Sequence, residues 1–222
     1  MPPHTNTVSP ALFNMIEQQI RPWGVLAPEV LAAFHAVPRE QFVQTIYQGL
    51  AYADMELPIG EGQTMLSPKI EGRILQALAL QAHEDVLLIG CGSGYLAALL
   101  AKLARQVLAL EIYSTLAIKA KQRWQTTGIH NVQCIVADGS QGYADAAPFD
   151  AIVFSAALPL VPWQLTEQLK PNGRLFVVVG QLPVMSALLI SRSENGMLHQ
   201  QSLFETVLPS LQHVPHVSHF QF

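Results

Sequence analysis

A glycine-rich turn is the first feature of the sequence that could bind a ligand. It follows an apolar run, precedes a helix-like segment, and consists of Gly90, Cys91, Gly92, Ser93 and Gly94. Glycines at such a turn let the backbone bend tightly and let a ligand approach main-chain N–H groups. A dinucleotide fingerprint would place its third glycine at position 95, which is Tyr95 here. The spacing therefore favours a nucleotide-type ligand without a pyrophosphate, and the alternative is a tight turn that binds nothing.

Two carboxylates follow at the ends of the next two strand-like runs. Glu111 ends the second run, where an acid can accept hydrogen bonds from ribose hydroxyls. Asp138 ends the third run, where a carboxylate can reach the exocyclic amine of adenine, and Gly139 leaves space beside it. Taken singly, Glu111 could be a solvated strand-end charge and Asp138-Gly139 a simple turn. Beside the glycine turn, they predict ribose at Glu111 and adenine near Asp138.

The segment from about residue 84 to 180 must position these groups, and it alternates strands with helices. The strand-like runs cover residues 86–90, 107–111, 132–136, 149–154 and 174–179, and the helix-like runs cover 95–103, 116–124 and 163–169. Continuous apolar strands that alternate with helices are typical of a parallel sheet covered on both faces. Two further runs, 184–190 and 203–208, are joined through Glu194-Asn195-Gly196 and predict an antiparallel hairpin at one edge, within 184–208.

The first 80 residues are predicted to form a helical extension with an ordered loop inside it. Ser9-Pro10 and Ser67-Pro68 each combine an N-cap residue with a proline at the first helical position. Residues 39–46 are predicted to form a short helix. The segment from Leu57 to Thr64 is too rich in glycine and proline for either a helix or a strand. Residues 209–222 are predicted to form a tail.

Composition limits the class of protein. The chain has 222 residues, 50% of them hydrophobic and 13% charged, which predicts a single folded domain over 1–222 and excludes disorder as the main state. A net charge of −4 argues against a nucleic-acid partner. No secretory signal begins the chain, and no apolar run approaches the roughly 18 residues of a membrane span. A cytoplasmic protein without a membrane span is therefore expected.

Cysteines and histidines predict neither a disulfide framework nor a metal site. There are two cysteines, Cys91 and Cys134, and neither a CxxC nor an HExxH motif occurs. His213, His216 and His219 follow one another at intervals that could bring them towards one face of a helix as metal ligands. A continuous helix is opposed by the proline between the first two of them, so these histidines are assigned to the tail.

Five segments of the sequence together carry a resemblance to a known family. They are Ala36-Val-Pro-Arg-Glu-Gln-Phe-Val43, Leu57-Pro-Ile-Gly-Glu-Gly-Gln-Thr64, Ile89-Gly-Cys-Gly-Ser-Gly-Tyr95, Ala137-Asp-Gly139 and Ala147-Pro-Phe-Asp-Ala-Ile-Val153. With them, the chain resembles the protein-L-isoaspartate O-methyltransferases, a family of Rossmann-like S-adenosylmethionine-dependent methyltransferases. The resemblance covers roughly residues 11 to 210. The second segment is its specific part, because generic methyltransferases lack it.

The resemblance implies a fold, a cofactor and a reaction. The fold is a class I methyltransferase, with a doubly wound, mostly parallel seven-stranded sheet and an antiparallel edge hairpin. The cofactor is S-adenosyl-L-methionine, bound over Gly90 to Gly94, Glu111, Asp138 and Gly139. The reaction methylates the free carboxylate of L-isoaspartyl residues in damaged proteins, so the partners are proteins or peptides that carry such residues. The acceptor loop is 57–67, with Thr64 and Ser67 as catalytic residues and Ile59, Gly60, Gln63, Thr64 and Leu66 as substrate-binding residues.

This reaction needs few catalytic groups. A carboxylate is already ionised at pH 7, so no general base is required. The enzyme must hold the carboxylate in line with the methyl group and exclude water, and orientation and desolvation supply most of the acceleration. A hydrolase is excluded at the motif level, because Ser93 does not lie in a G-x-S-x-G elbow.

Three positions depart from the family pattern and make the chain a divergent member. Leu88 stands where an acid usually precedes the glycine turn, Leu66 where the motif has its serine, and Leu160 where an acid usually follows the fourth strand. Ser67, one position after Leu66, could replace the missing serine or only begin a helix. Two alternatives therefore stay open: a family member that binds or regulates with weak or lost activity, and a methyltransferase for another small acceptor.

Overall fold

A seven-stranded sheet forms the centre of the fold in the computed structural model, which describes residues 9–214. The strands in this range are β1 Leu57–Gly60, β2 Gln63–Met65, β3 Asp85–Ile89, β4 Gln106–Glu111, β5 Val132–Val136, β6 Phe149–Leu158, β7 Leu169–Gln181, β8 Val184–Arg192 and β9 Leu198–Thr206. The sheet has the order β5-β4-β3-β6-β7-β8-β9, whereas β1 pairs only with β2. Strands β3 to β7 are parallel, and β8 and β9 are antiparallel to their neighbours. The predicted mostly parallel sheet with an antiparallel edge hairpin is confirmed.

Five α-helices accompany the strands in the described part of the chain. They are α1 Pro10–Asn14, α2 Pro28–Ala36, α3 Pro68–Leu78, α4 Tyr95–Leu103 and α5 Ser114–Thr127. The Ser-Pro pairs begin α1 and α3 as predicted, although neither serine side chain makes a capping hydrogen bond. Two helix predictions are wrong in type, because 39–46 and 163–169 contain 3₁₀ turns at Arg39–Gln41, Thr45–Leu50 and Trp163–Gln168. Within residues 9–214, no helix is both long enough and apolar enough to cross a membrane.

The strand order creates a crevice beside β3. The chain moves outward from β3 to β4 and β5, and then returns to the other side of β3 as β6. In open parallel sheets, ligands bind outside the carboxyl ends of the strands where the order reverses in this way. The turn that begins at Gly90 lies at this position, directly after β3.

The two faces of the sheet are covered by different kinds of element. On one face, α2 to α5 bury their apolar side chains in a single core with strand residues such as Leu88 and Val153. On the other face, strand residues such as Ile89 and Phe154 pack with the 3₁₀ segment around Leu165 and with connecting loops. The sheet is covered on both sides as predicted. Among the described residues, however, its α-helices lie on one side only.

The segment from Leu57 to Thr64 is not irregular, as its composition predicts, but forms an antiparallel hairpin of β1 and β2. Its two turn residues, Glu61 and Gly62, have φ values of 53° and 69°. Positive φ at both central positions matches the twist of a two-residue hairpin. The glycines therefore serve the turn, and Pro58 is tolerated because a two-stranded ribbon has free edges.

The C-terminal part contains the predicted edge hairpin and a segment that returns to the sheet. The edge hairpin exists, and β8 and β9 are longer than the predicted runs. Residues 209–214 of the predicted tail pack against the sheet. Ser210 makes a parallel bridge to Ala157, whose N–H donates to the Pro209 carbonyl at 2.8 Å and whose carbonyl accepts from Leu211 N–H at 2.9 Å. This segment therefore extends the sheet at the carboxyl end of β6.

Candidate cofactor and acceptor site

A cleft of about 680 Å³ opens at the carboxyl ends of β3 to β6. Most of the predicted site residues line it: Ile59, Gln63, Thr64, Leu66, Gly90, Gly92, Glu111, Asp138 and Gly139. Five predicted residues lie outside its lining: Gly60, Ser67, Cys91, Ser93 and Gly94. The structure therefore brings both predicted halves of the site, cofactor and acceptor, to one cleft.

Steric crowding explains the glycines of the turn. Gly90 has a φ of 86°, and a Cβ there would lie 2.3 Å from the Ser155 Oγ. Gly94 has a φ of 85°, and its Cβ would lie 2.9 Å from the Ala120 Cβ. Ser155 Oγ donates to the Gly90 carbonyl at 2.7 Å, which ties the turn to β6. At Gly90 and Gly94, the turn can therefore keep this shape only without a side chain.

Cys91 contributes its backbone and not a reactive thiol. It is buried beside the free and buried Cys134. A hydrogen bond with Cys134, together with burial, raises the pKa of the Cys91 thiol well above its ordinary value. The group is therefore neutral at pH 7. Ser93 is also turned inward, where its Oγ accepts from the Tyr95 N–H at 3.2 Å at the start of α4.

Glu111 is oriented by main-chain donors. Its side chain is 5% exposed at the end of β4. One carboxylate oxygen accepts from Gly92 N–H at 2.7 Å, and the other accepts from Tyr113 N–H at 3.0 Å. Each oxygen keeps a further lone pair. Because Glu111 lines the cleft, these lone pairs fit the hydroxyls of a ribose.

Asp138 lies on the neighbouring wall and is more exposed. Its Oδ1 accepts from Ser140 N–H at 2.8 Å, and its Oδ2 lies 3.0 Å from His213 Nδ1. Partial burial opposes ionisation, but the hydrogen bonds from Ser140 and His213 outweigh it and lower the pKa of Asp138. Gly139 packs closely beside it, since a Cβ there would lie 2.8 Å from Ile89 Cγ2.

Of the three C-terminal histidines that are assigned to the tail, only one can be compared with the structure. His213 of the predicted tail contacts Asp138, while His216 and His219 lie outside the described residues. Within residues 9–214, no group of three or more histidine, cysteine, aspartate or glutamate side chains could hold a metal ion.

The β1–β2 hairpin forms the wall of the cleft that is predicted to be the acceptor wall. Its turn is fixed to α5, because Thr115 Oγ1 donates to Glu61 Oε1 at 2.6 Å. Ile59 reaches across to the glycine turn, and a Cβ on Gly92 would lie 3.2 Å from Ile59 Cδ1. Thr64 Oγ1 donates to Glu56 Oε2 at 2.8 Å. The hairpin is therefore held in a fixed position by its contacts. The hydroxyl of Thr64 already donates its hydrogen bond to Glu56.

Of the two predicted catalytic residues, only Thr64 lies in the cleft. Ser67 is 7% exposed and begins α3, where its carbonyl accepts from the N–H groups of Ile70 and Glu71. Leu66 lines the cleft at the position of the family's serine. The structure therefore favours the reading of Ser67 as a helix start.

Leu88 does not face the cleft. Its side chain is fully buried in the core on the helix side of the sheet, between Ala109 and Val153 on the neighbouring strands. Ile89, the next residue, lines the cleft instead. The missing family acid therefore leaves an apolar packing position and not a gap in the cleft wall.

Sequence reasoning missed several residues that line the cleft. They come from the segment after Glu111, from the end of β6 and from the C-terminal segment: Tyr113, Leu116, Ser155, Ala156, Pro209, Ser210, Leu211 and Gln212. A register shift in β6 between Val153 and Ala157 brings Ser155 to the glycine turn. Ser155 lies within a run that the sequence already predicts to be a strand. No local feature of the sequence indicates that residues 209–212 return to this edge of the sheet.

The residues present fit an adenosine-bearing ligand. The glycine turn leaves its main chain accessible, Glu111 offers oriented carboxylate lone pairs, and Asp138 offers an acid one strand further. This order along the strand ends matches the predicted positions of ribose and adenine.

Comparison with known proteins agrees with this geometry. The family model described as protein-L-isoaspartate(D-aspartate) O-methyltransferase matches residues 12–218. Protein-L-isoaspartate O-methyltransferase 1 of Syntrophobacter fumaroxidans is 42% identical over 186 residues, which cover 84% of this chain and 87% of that protein.

Solved structures show the same fold. One protein-L-isoaspartate O-methyltransferase has a TM-score of 0.77 and 25% identity, over 90% of this chain and 64% of that chain. A second, from Plasmodium falciparum in complex with S-adenosyl-L-homocysteine, has a TM-score of 0.77 and 22% identity, over 91% of this chain and 96% of that chain. The chain therefore belongs to the protein-L-isoaspartate(D-aspartate) O-methyltransferase family.

Proposed function

We propose that this chain transfers a methyl group from S-adenosyl-L-methionine to the free carboxylate of L-isoaspartyl residues in damaged proteins. The observation that carries the proposal is one shared cleft. The family-specific hairpin supplies one wall through Thr64 and Leu66, and the glycine turn with Glu111 supplies the other. A methyl donor on one wall and a carboxylate on the other would therefore meet inside a single cleft.

The proposed cofactor site consists of this chain's own strand ends. The main chain of Gly90 to Gly92 would lie against the ligand, Glu111 would accept from ribose hydroxyls, and Asp138 would accept from the adenine amine. When bound, S-adenosylmethionine supplies an electrophilic methyl group on a positively charged sulfur. The hydrogen bonds that orient Glu111 come from the chain's own main chain, which lowers the cost of ordering the site.

The acceptor wall has two tasks, orientation and exclusion of water. An isoaspartyl carboxylate is ionised at pH 7 and needs no base. Ile59 and Leu66 give the wall an apolar surface that removes water from the carboxylate. Thr64 can donate to the carboxylate only if its hydroxyl turns away from Glu56. Thr64 is therefore proposed as the acceptor-binding hydroxyl, and Glu56 as the group that holds it in the free protein.

The proposed partners are proteins or peptides that carry L-isoaspartyl residues. The net charge of −4 supports a protein partner and not a nucleic acid. The absence of a disulfide framework supports a reducing, cytoplasmic site of action.

A second candidate is a family member that binds the cofactor without transferring the methyl group. Leu66 favours it, because an apolar side chain lines the cleft where the family pattern has a serine. The two candidates differ in one measurable property, since both bind S-adenosylmethionine but only the first methylates an isoaspartyl peptide.

A paired substitution tests the proposal. The parent protein should bind S-adenosylmethionine in a calorimetric titration and methylate an isoaspartyl peptide but not its aspartyl counterpart. Thr64→Val should reduce kcat/KM for the peptide by about tenfold or more, which corresponds to roughly 1.4 kcal/mol, without changing cofactor affinity. Ser67→Ala is the matched control outside the cleft. It should change kcat/KM by less than about threefold, because the side chain makes no capping hydrogen bond.

Each part of the proposal has its own contrary outcome. Cofactor binding without methylation of any peptide would favour the binding protein. A folded Thr64→Val protein that works at the parent rate would remove Thr64 from the acceptor site. A large loss in Ser67→Ala at unchanged stability would restore Ser67 as a catalytic residue.

A further inference from the structure

Arg39 is the largest fully buried side chain outside the cleft that carries a charge. It lies in a 3₁₀ turn after α2, and its guanidinium group has three neighbours. It forms an ion pair with Glu71 of α3, donates Nη2–H to the Leu66 carbonyl at 2.5 Å, and lies 4.9 Å from the centre of the Tyr95 ring. These neighbours come from two stretches of the chain, one at the start of α3 and one at the start of α4.

Two of these contacts lead directly to the walls of the cleft. Leu66 follows β2, lines the cleft and is two residues from Thr64. Tyr95 is the first residue of α4 and follows the glycine turn at once. Arg39 therefore lies behind the site, between the acceptor wall and the cofactor wall.

The contact with Leu66 constrains the acceptor wall. A buried carbonyl that loses its donor costs free energy, so the Leu66 carbonyl must stay where the guanidinium group can reach it. Arg39 is itself held by the Glu71 carboxylate, which is 1% exposed. The position of Leu66 is thus set by a buried group and not by the hairpin alone.

We infer that Arg39 is a positioning residue for methyl transfer: it holds the Leu66 main chain, and with it the cleft-facing residues of β2, at a fixed distance from the glycine turn. The inference rests on the proposed function. It predicts that loss of Arg39 damages the use of the acceptor and not the affinity for the cofactor. Glu111 and the glycine turn are held by contacts of their own and do not depend on Arg39.

The chain contains a matched control for this cluster. Arg174 donates Nε–H to the Leu78 carbonyl at 2.6 Å and pairs with Glu84 at 2.6 Å and 2.7 Å. Like Arg39, it therefore joins an acid and a main-chain carbonyl near α3. Leu78 is at the opposite end of that helix, and neither Arg174 nor its partners line the cleft.

The experiment compares two double variants, Arg39→Met with Glu71→Met and Arg174→Met with Glu84→Met. Removing both charges together avoids an unpaired buried ion, and such replacements are often tolerated. Three quantities are measured for each folded protein: the Kd for S-adenosylmethionine, kcat and KM for an isoaspartyl peptide, and amide hydrogen exchange in residues 63–66.

The Arg39/Glu71 variant should lose about tenfold or more in kcat/KM for the peptide and exchange the 63–66 amides faster, while its cofactor Kd changes less than about threefold. The Arg174/Glu84 variant should keep all three quantities within about threefold. Equal losses in both variants, or parent kcat/KM in the first, would overturn the inference.

Two further arms keep the inference separate from folding and from the proposed function. If the first double variant does not fold, Arg39→Lys keeps the charge but not the two-pronged donor, and an unchanged kcat/KM in that protein would overturn the inference. If the parent does not methylate the peptide, the proposed function fails. Hydrogen exchange of residues 63–66 then decides the positioning role alone, and unchanged exchange contradicts it.

Discussion

Two arginines hold the two ends of α3 by the same means but in different surroundings. Arg39 joins Glu71 to the carbonyl that precedes the helix, and Arg174 joins Glu84 to a carbonyl at its end. Arg39 and Glu71 are 0% and 1% exposed, whereas Arg174 and Glu84 are 12% and 11% exposed. The pairs therefore differ chiefly in their access to water and in how completely their hydrogen bonds are made.

The more exposed pair, Arg174 and Glu84, has the more complete set of hydrogen bonds. Arg174 uses two nitrogens on the two oxygens of Glu84, and Glu84 also accepts from Gln81 N–H at 2.7 Å. In the buried pair, one guanidinium nitrogen meets one oxygen of Glu71, and the buried Arg39 Nε has no hydrogen-bond partner among the described residues. Fork-to-fork pairing is the stronger arrangement.

The acids respond in opposite directions. Burial raises the pKa of Glu71 from 4.5 to about 7, against the attraction of Arg39. Burial also acts on Glu84, but the hydrogen bonds from Arg174 and Gln81 and the charge of Arg174 outweigh it, so its pKa is lowered. A buried ion pair with incomplete hydrogen bonds is weak evidence for stability. The cluster behind the cleft thus makes more sense as a device that fixes a main-chain position than as one that maximises stability.

The largest expected difference between the two clusters is the effect of removing the arginine alone. Arg39→Met leaves Glu71 buried without a partner and should reduce the free energy of unfolding by about 3–5 kcal/mol. Arg174→Met leaves an acid that water can reach and should cost about 1–3 kcal/mol. Urea unfolding of both proteins measures the difference. Equal losses would show that the small difference in exposure does not separate the clusters.

The meeting of Gly90, Glu111 and Asp138 at one cleft could be predicted because each of these groups is placed by its own strand. Glu111 ends β4, Gly90 and Asp138 follow closely after β3 and β5, and parallel strands bring their carboxyl ends to one edge of the sheet. Their order in the sequence is therefore their order along the cleft, without knowledge of any long-range contact.

The Arg39 cluster and the acceptor wall could not be predicted in the same way. Arg39 meets Glu71 and the Leu66 carbonyl across intervals of 32 and 27 residues. An isolated arginine in a short polar segment gives no local sign of burial, since arginines are mostly exposed. Glycine and proline hide the hairpin of β1 and β2, because their propensities oppose a strand, although the turn requires its glycine and the two-stranded ribbon tolerates Pro58. Ser210 likewise meets Ala157 only through the tertiary fold.

The substitution Leu88→Glu would bury an acid that has no arginine beside it. It therefore sharpens the comparison between the two arginine clusters. The family pattern would predict that Leu88→Glu improves cofactor binding, but the side chain faces the core on the helix side and not the cleft. The variant should lose about 2–4 kcal/mol of unfolding free energy, because the carboxyl group has no hydrogen-bonding partner there. Its cofactor affinity should not rise.

Leu88→Met is the control for packing at this position and should cost less than about 1.5 kcal/mol. Chemical unfolding and calorimetric titration with S-adenosylmethionine test the pair. A Leu88→Glu protein of parent stability that binds the cofactor more tightly would show that position 88 reaches the cleft and that the helix-side assignment is wrong.

The smallest expected effect is a difference in how stability depends on pH. The folded-state pKa of Glu71 is raised from 4.5 to about 7, so the folded protein binds more protons there than the unfolded chain. The stability gained from this proton is fully present below about pH 4.5 and is lost as the pH rises through about 7. The lowered pKa of Glu84 acts with the opposite sign, because the stability that it contributes is present above pH 4.5 and is lost only as the pH falls through the lowered value.

Between roughly pH 5 and pH 8, the unfolding free energy of the parent should therefore fall by about 1–3 kcal/mol relative to Glu71→Gln, while Glu84→Gln should keep the parent's slope. Urea unfolding at several pH values measures all three proteins, and parallel curves for the parent and Glu71→Gln would show that burial does not dominate the Arg39 cluster.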